Sequence, residues 1–353
     1  MRKNILVTGG AGYIGSHTVL ELYLSGYMPI IVDNLCNSSR RNLLGINQLL
    51  KTEIPFHEID CTNLFEMENI FKKYSNIYAC IHFAAYKSVV ESVKHPQKYY
   101  ENNIGSTKVL LKCLEKNEFK NLIFSSSCTV YGIPDKLPVN ENAPFKKAES
   151  PYAETKQKCE DLISKNSCNS VSLRYFNPIG SHYSGLIGDC SRDCTANLVP
   201  ILTEVACGIL DNLIINGNNY NTPDGTCIRD YIHVQDLAVA HVKALDFLLK
   251  NKVKEVFNVG TGKGLSVLEI INSFEDANNL KLSYLIGPSK EGDVEQIYSD
   301  VNKIKTVLAW RANRNIKDAL ISALNWQISK NNQKIKNVNK EDWFKLITKK
   351  QKD

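Results

Sequence analysis

The chain lacks any apolar run approaching the roughly 20 residues that a membrane-spanning helix needs. Its opening stretch, "MRKNILVTGG", enters a strand pattern at once and leaves no room for a secretion signal. A cytoplasmic protein is the expectation, with no membrane partner. Close cysteine pairs are scarce as well. Of 11 cysteines, an odd number, only Cys190 and Cys194 in "DCSRDC" stand near each other, and no second Cys/His pair lies nearby. A structural zinc site needs that second pair, so no metal is expected and the cysteines read as reduced packing residues. Charge of one sign is thin. The formal net charge is +6, and residues 331–353, with seven lysines against Glu341, Asp342 and Asp353, carry +4 of it. No stripe of arginine with interleaved aromatics appears in the body. These features argue against a nucleic-acid partner and for a solvated Lys-rich tail.

What the chain does have is length and alternation. Its 353 residues, 43% hydrophobic and 23% charged, suit one large or two packed globular domains. Short apolar runs, "NILVT", "MPIIVD", "IPFHEID", "IYACIHFAA", "NLIFSSS" and "SVSLRYF", alternate with helical patterns such as "NLFEMENIFKKY", "STKVLLKCLEKN" and "ETKQKCEDLISKN". Continuous apolar strands separated by helices predict a parallel sheet covered on both faces. The fold expected is α/β, a doubly wound sheet of Rossmann type over residues 1–178. After "RYFNPIG" the pattern loosens. Residues 179–330 read as a smaller, interleaved C-terminal substrate domain, with 231–261 ("VQDLAVAHVKALDFLL", "EVFNVG") returning to the first.

"TGGAGYIGSH" carries Gly10, Gly12 and Gly15 in G-x-G-x-x-G spacing, and Gly9, Gly12 and Gly15 in G-x-x-G-x-x-G spacing. It follows a strand and opens a helix, the context in which glycines let the backbone approach a pyrophosphate over a helix N-terminus. Asp33 closes the second strand about twenty residues on, where a carboxylate accepts from a ribose 2′-hydroxyl and repels a 2′-phosphate. NAD, rather than NADP, is the cofactor this predicts. Asp60, ending the third run, is a candidate for the adenine edge.

Ser125, Ser126 and Ser127 end the run "NLIFSSS", although serine is a poor strand former. Ligands in an open parallel sheet bind beyond the carboxyl ends of the strands, so the serines are expected beside the nicotinamide end. "SPYAETK" then sets Tyr152 one helical turn before Lys156, just after Pro151. A free tyrosine has a pKa near 10 and is a poor base. A lysine cation one turn away, together with the positive nicotinamide ring, is expected to favour the phenolate and lower that value. Tyrosine, lysine and serine beside NAD form a device for oxidising an alcohol.

With these stretches, and with "IHFAAYKSVVESV", "LRYFNPIGSH", "DGTCIRDYIHVQDLA", "FNVGTGKGLSVLE" and "EGDVEQ", the chain resembles the extended short-chain dehydrogenase/reductase superfamily, and within it the UDP-galactose 4-epimerase branch. The likeness runs in order up to about residue 330. It implies interconversion of UDP-glucose and UDP-galactose through a 4-keto sugar, with Ser127, Tyr152 and Lys156 catalytic. It implies that Tyr13 and Ile14 lie at the pyrophosphate, and that Asp33, Asn34 and Asn37 hold the adenosine ribose. Asp60 and Cys61 would flank the adenine. Phe83, Ala84, Ala85, Lys87, Asn102 and Phe176 would line the rest of the cofactor. For the UDP-sugar it implies Lys87, Tyr175, Asn177, Asn197, Leu198, Ile214, Asn216, Arg229, Lys290, Asp293 and Ile297. Lys290 stands where the family usually has arginine, keeping a charge but losing the bidentate fork. Asn216 stands where an aromatic ring usually packs near the uracil. A homodimer pairing helices around 101–116 and 152–166 is also implied.

Two other functions fit parts of the pattern. A sugar-nucleotide 4,6-dehydratase shares the first oxidation but places an acidic residue after the serine of this strand, where the chain has Cys128 and Thr129. A non-catalytic NAD sensor would have no use for Tyr152 and Lys156. Within the epimerase branch, one position after "EGD" walls the sugar C2 substituent. Ile297 is expected there, with Tyr298 adjacent. A β-branched isoleucine yields little, so weak or no action on UDP-N-acetylglucosamine is expected.

Overall fold

The first half of the chain makes β1 (Asn4–Thr8), β2 (Met28–Val32), β3 (Phe56–His57), β4 (Ile77–His82), β5 (Asn121–Ser127) and β6 (Asn169–Tyr175). Four short strands, β7 (Asn177–Ile179), β8 (Leu213–Asn216), β9 (Ile228–Arg229) and β10 (Tyr231–His233), lie outside their sheet. The chain then returns with β11 (Lys254–Val259). The central sheet runs β11-β6-β5-β4-β1-β2-β3, every pair parallel. Chain order therefore reverses at β1, which sits between β4 and β2, and a crevice opens beyond the carboxyl ends of those strands. The computed structural model describes residues 2–74, 76–117, 120–191, 197–289 and 294–331. Cys194, Lys290, Asp293 and the tail from residue 332 lie outside the described residues.

Both faces of the sheet are buried, which is why its strands read as unbroken apolar runs. On one face Ile5 and Val7 pack with α1 (Tyr13–Leu24), α2 (Arg40–Leu50) and, much later in the chain, α9 (Val234–Leu248). On the other, Leu6, Ile30 and Val32 pack with α3 (Leu64–Lys73), α6 (Gly105–Lys116) and α7 (Pro151–Lys165). Between β4 and α6 come α4 (Val89–Lys94), α5 (Pro96–Tyr99) and a π-helical turn, Tyr100–Ile104. A second lobe has its own core, built from α8 (Leu198–Ala206), α10 (Val267–Asn278) and α12 (Ile316–Lys330), with Leu202, Phe274 and Leu320 at its centre. The remaining elements are β12 (Leu265–Ser266), β13 (Tyr284–Gly287), β14 (Gln296–Ile297) and α11 (Asn302–Val307).

Two local expectations change. The third run, expected as a strand ending at Asp60, pairs only over Phe56–His57. It is the edge of the sheet, and Asp60 instead closes a turn by accepting from Thr62 N at 2.8 Å and Thr62 Oγ1 at 2.7 Å. Within the stretch that read as loosened, α8 is an apolar helix. Its Pro200 lies in the first turn, where a missing N–H costs nothing, so a residue that signals a break marks a beginning.

Candidate active site

β1 ends at Thr8 and the backbone reverses through Gly9 at φ +70°. A side chain at Gly9 would stand 2.7 Å from the Ala84 amide nitrogen, and one at Gly15 would stand 2.2 Å from the Gly9 carbonyl oxygen. Only glycine fits either place. Gly12 is the N-cap of α1, where no side chain caps the helix and no acidic residue enters the first turn. The positive end of the helix dipole is left to the cleft, a donor set that fits a diphosphate.

Asp33 does more than the ribose role expected of it. One carboxylate oxygen accepts from Ala11 N at 3.0 Å; the other accepts from Leu35 N at 2.9 Å and Ser38 Oγ at 2.8 Å. It thus clips the glycine turn to the loop that carries Asn34 and Asn37. Burial pushes its pKa above the usual carboxylate value, with those hydrogen bonds acting against the rise. Asn34 Nδ2 donates to Asp60 at 3.0 Å, so the two expected adenosine contacts support each other.

At the other end, Ser150 caps α7 by accepting from Ala153 N at 3.2 Å, and Pro151 takes the first helical position. Tyr152 and Lys156 follow at i and i+4, on one face. Lys156 Nζ donates to the Ser125 carbonyl at 2.6 Å and lies 4.9 Å from the Phe124 ring centroid and 5.9 Å from that of Tyr152. Burial lowers Lys156 to about 8, opposed by Cys159 and Glu160. Burial also raises Tyr152 to about 12, while its hydrogen bond with Ser127 lowers it. Among the protein's own groups desolvation thus prevails, and the lowering expected of Tyr152 rests on the positive nicotinamide ring as well as on Lys156. Desolvation outweighs a cation that is spent on a backbone carbonyl.

The three serines divide their tasks. Ser127 faces Tyr152. Ser126 lines the cleft with its two neighbours, and its hydroxyl donates to Glu160, which pairs with Arg174 through contacts of 3.0 and 2.7 Å; both charged side chains are buried. That pair continues to Tyr131, 2.9 Å from Arg174, and on to Asn258, so it locks β5, α7, β6 and β11 together. Ser125 engages Tyr175, whose hydroxyl lies 2.5 Å from His241 Nε2.

The glycine turn and the Ser127/Tyr152/Lys156 group open on one cleft of about 370 Å³. Gly9, Gly12, Tyr13, Ile14, Gly15, Asp33, Asn34, Asn37, Asp60, Cys61, Phe83, Ala84, Ala85, Lys87, Asn102, Tyr175, Phe176, Asn177, Asn197 and Leu198 line it too. Ile214, Asn216, Arg229 and Ile297 are absent from its lining. Ile214, 58% exposed, and Asn216 alternate outward on β8 while Leu213 and Ile215 enter the core. Arg229 donates to the Ile228 carbonyl at 2.9 Å, and its charge reaches Cys128, the residue after Ser127. Ile297 is buried in a cluster with Cys128 and Phe176, whereas Tyr298 packs toward Gly264. Lys290 and Asp293 lie outside the described residues. The cleft also holds residues that sequence reasoning missed, among them Asp189, Trp326 and Lys330. No local motif marks them; the second lobe brings them there.

Residues 5–260 match the family model described as NAD dependent epimerase/dehydratase family. The chain is 45% identical over 329 residues to UDP-glucose 4-epimerase of Dictyostelium discoideum, covering 92% of this chain and 95% of that one. It superposes with TM-score 0.89 on UDP-glucose 4-epimerase from Bifidobacterium longum in complex with NAD⁺ and UDP, at 42% identity, over 94% of this chain and all of that one (100%). The corresponding enzyme from Stenotrophomonas maltophila, with bound NAD and formylated UDP-arabinopyranose, gives TM-score 0.91 at 38% identity over 94% and 100%.

Proposed function

We infer the reaction from one premise: the chain belongs to the NAD dependent epimerase/dehydratase family, and it acts there as a UDP-glucose 4-epimerase. It is an NAD-dependent enzyme that interconverts UDP-glucose and UDP-galactose. The observation that carries the chemistry is that Ser127, Tyr152 and Lys156 share a cleft with an uncapped helix N-terminus behind a glycine turn.

Bound NAD⁺ supplies hydride acceptance and return at sugar C4, so the cycle has no net oxidation. The glycine turn and the first turn of α1 would hold its diphosphate. Asp33, Asn34 and Asp60 would hold the adenosine, and Phe176 and Lys87 the nicotinamide side. Tyr152 Oη moves the proton of the sugar 4-hydroxyl, and Ser127 Oγ steadies the same oxygen. With burial favouring the phenol, the Ser127 hydrogen bond and the nearby Lys156 ammonium are the chain's own means of favouring the phenolate. Inversion then requires the 4-keto sugar to present its other face. Arg229 suits a substrate diphosphate.

The purified protein, without added NAD, should convert UDP-galactose to UDP-glucose. A 6-deoxy-4-keto product would favour the dehydratase reading, and no conversion at all would overturn the function. UDP-N-acetylglucosamine should react weakly or not at all. Ile297→Ser should raise that activity and Tyr298→Ser should not; a gain only from the second would show the wall misplaced. We also infer a cytoplasmic homodimer through the surfaces around 101–116 and 152–166. Exposed Val89, Val90 and Val93 on α4, which packs beside α7, support the dimer, and ten free cysteines among the described residues suit a reducing compartment. Sedimentation of the same preparation as a monomer would refute the dimer.

Asp33 carries a second expectation. Asp33→Ser removes a charge that repels a 2′-phosphate and also frees three donors it now satisfies. NAD affinity should fall about 10- to 100-fold, with NADP gaining relative to NAD in equilibrium binding. Equal affinity of the unmodified protein for both dinucleotides would sink this reading.

A further inference from the structure

Segment Leu186–Ser191 leaves the second lobe and runs along the cleft without helix or strand structure. It lies hard against α2. A side chain at Gly45, in the interior of that helix, would stand 2.3 Å from the Leu186 carbonyl oxygen and 2.8 Å from Ile187 Cγ2. Glycine weakens a helix interior, and here the close approach of the segment requires it. One turn earlier on the same helix face, Asn42 is fully buried. Its Nδ2 donates to the Ala11 carbonyl and to the Gly188 carbonyl, both at 3.1 Å, and its Oδ1 accepts from Gly188 N at 3.2 Å. A single side chain thus ties the glycine turn to the segment. Gly188 itself lies flat on Trp326, where an added side chain would come within 2.4 Å of the ring, and Trp326 Nε1 donates to the Asp189 carbonyl at 3.0 Å. Asp189 turns one carboxylate oxygen to Ser191 N at 2.9 Å and the other to Lys87 Nζ at 3.3 Å, on the loop after β4. Lys87, Asp189 and Trp326 all line the cleft.

The segment is therefore anchored to three parts of the sheet domain, namely the glycine turn, α2 and the loop after β4, and to α12 of the second lobe. None of this serves proton transfer. A redox cofactor restored in every cycle has no reason to leave, and a segment fastened this way would hinder its leaving. We propose that Asn42 and Asp189 are positioning residues that lock Leu186–Ser191 as a strap across the glycine-turn part of the cleft, so that bound dinucleotide dissociates slowly. The proposal rests on NAD being the cofactor.

The test isolates the full-length protein from cells fed radiolabelled nicotinamide, so that its resident NAD carries the label, removes free label by gel filtration and chases with excess unlabelled NAD. Asp189→Asn and Asn42→Ala should release label about tenfold faster than the parent, as expected for losing hydrogen bonds at a charged and at a buried group. Asp189→Glu, which keeps the carboxylate for Lys87, should release close to the parent rate. Arg40→Ala, at the start of the same helix, removes an exposed pair with Glu58 and a contact with the Phe56 ring, neither of which touches the segment, and should not differ from the parent. Release from Asp189→Asn within twofold of the parent would overturn the proposal, and so would equal acceleration in Arg40→Ala or in Asp189→Glu. If Asn42→Ala does not fold, Asp189→Asn and its Glu rescue decide alone. A parent isolated with no dinucleotide, labelled or unlabelled, would overturn the NAD reading itself, a failure distinct from fast release.

Discussion

Tyr152→Phe is expected to lower turnover by about 10²–10⁴-fold, the usual contribution of a positioned acid–base group, while NAD stays bound. The substitution removes the phenolic oxygen and keeps the ring that packs between the start of α7 and Lys156. Ser127, Lys156 and the glycine turn are untouched, so binding of the dinucleotide has no reason to change. The structure sharpens the case. Burial holds Tyr152 at about 12, so near neutral pH the resting group is a phenol, ready to return a proton and in need of help to take one. Ser127 is the group whose hydrogen bond works in that direction. Steady-state conversion of UDP-galactose and the NAD content of the purified variant check both halves. Turnover within a few-fold of the parent would remove Tyr152 from the reaction.

The second large effect is on stability in acid. His17, His82, His182, His233 and His241 are each no more than 5% exposed. Burial lowers His17, His82 and His233 to about 3, and His182 and His241 to about 4. His241 shows why. Its Nδ1 donates to the Leu237 carbonyl at 2.8 Å, which leaves Nε2 to accept from Tyr175, so the neutral ring is already fully engaged. In the unfolded chain these groups titrate near 6.5. Between the two values only the unfolded state binds the protons, so acid favours unfolding. The stabilisation from neutral imidazoles is complete above pH 6.5, declines as pH falls below it, and is gone once pH has fallen through about 4 and 3. Each group contributes a slope of about 1.4 kcal/mol per pH unit, so the set acts together at several times that, against a whole-domain stability of about 5–15 kcal/mol. Asp33 and Glu141, whose folded values are raised by burial, take up protons in the native state and offset part of it. Melting temperature should hold between pH 8 and 7 and fall steeply between 6.5 and 5. A flat profile down to pH 5 would show that the buried histidines do not titrate as described.

Much of the site could be read from the chain because its chemistry is local. Gly9, Gly12 and Gly15 lie within seven positions, between a strand and a helix that any solvent-shielded parallel sheet demands. Tyr152 and Lys156 share a helix face by spacing alone, and Asp33 follows its strand directly. The order of apolar runs likewise determined a sheet covered on both faces. Hydrophobic burial is non-directional, so pattern suffices to say which residues go inside.

Pattern does not say which distant groups meet, because hydrogen bonds and charge act only at short range and in fixed directions. Ser126 lines the cleft, but nothing in the sequence says that its hydroxyl is taken by Glu160, which pairs with Arg174. Lys156 reads as a cation for Tyr152, but not as one that also donates to the Ser125 carbonyl and is lowered by burial. Ile214 and Asn216 carry no sign that β8 leaves them exposed while Leu213 and Ile215 enter the core. Asp189, Asn42 and Trp326 stand far apart in the chain and belong to no motif. They meet only because α2 and α12 approach from opposite lobes, and that approach was set by the packing of two hydrophobic cores.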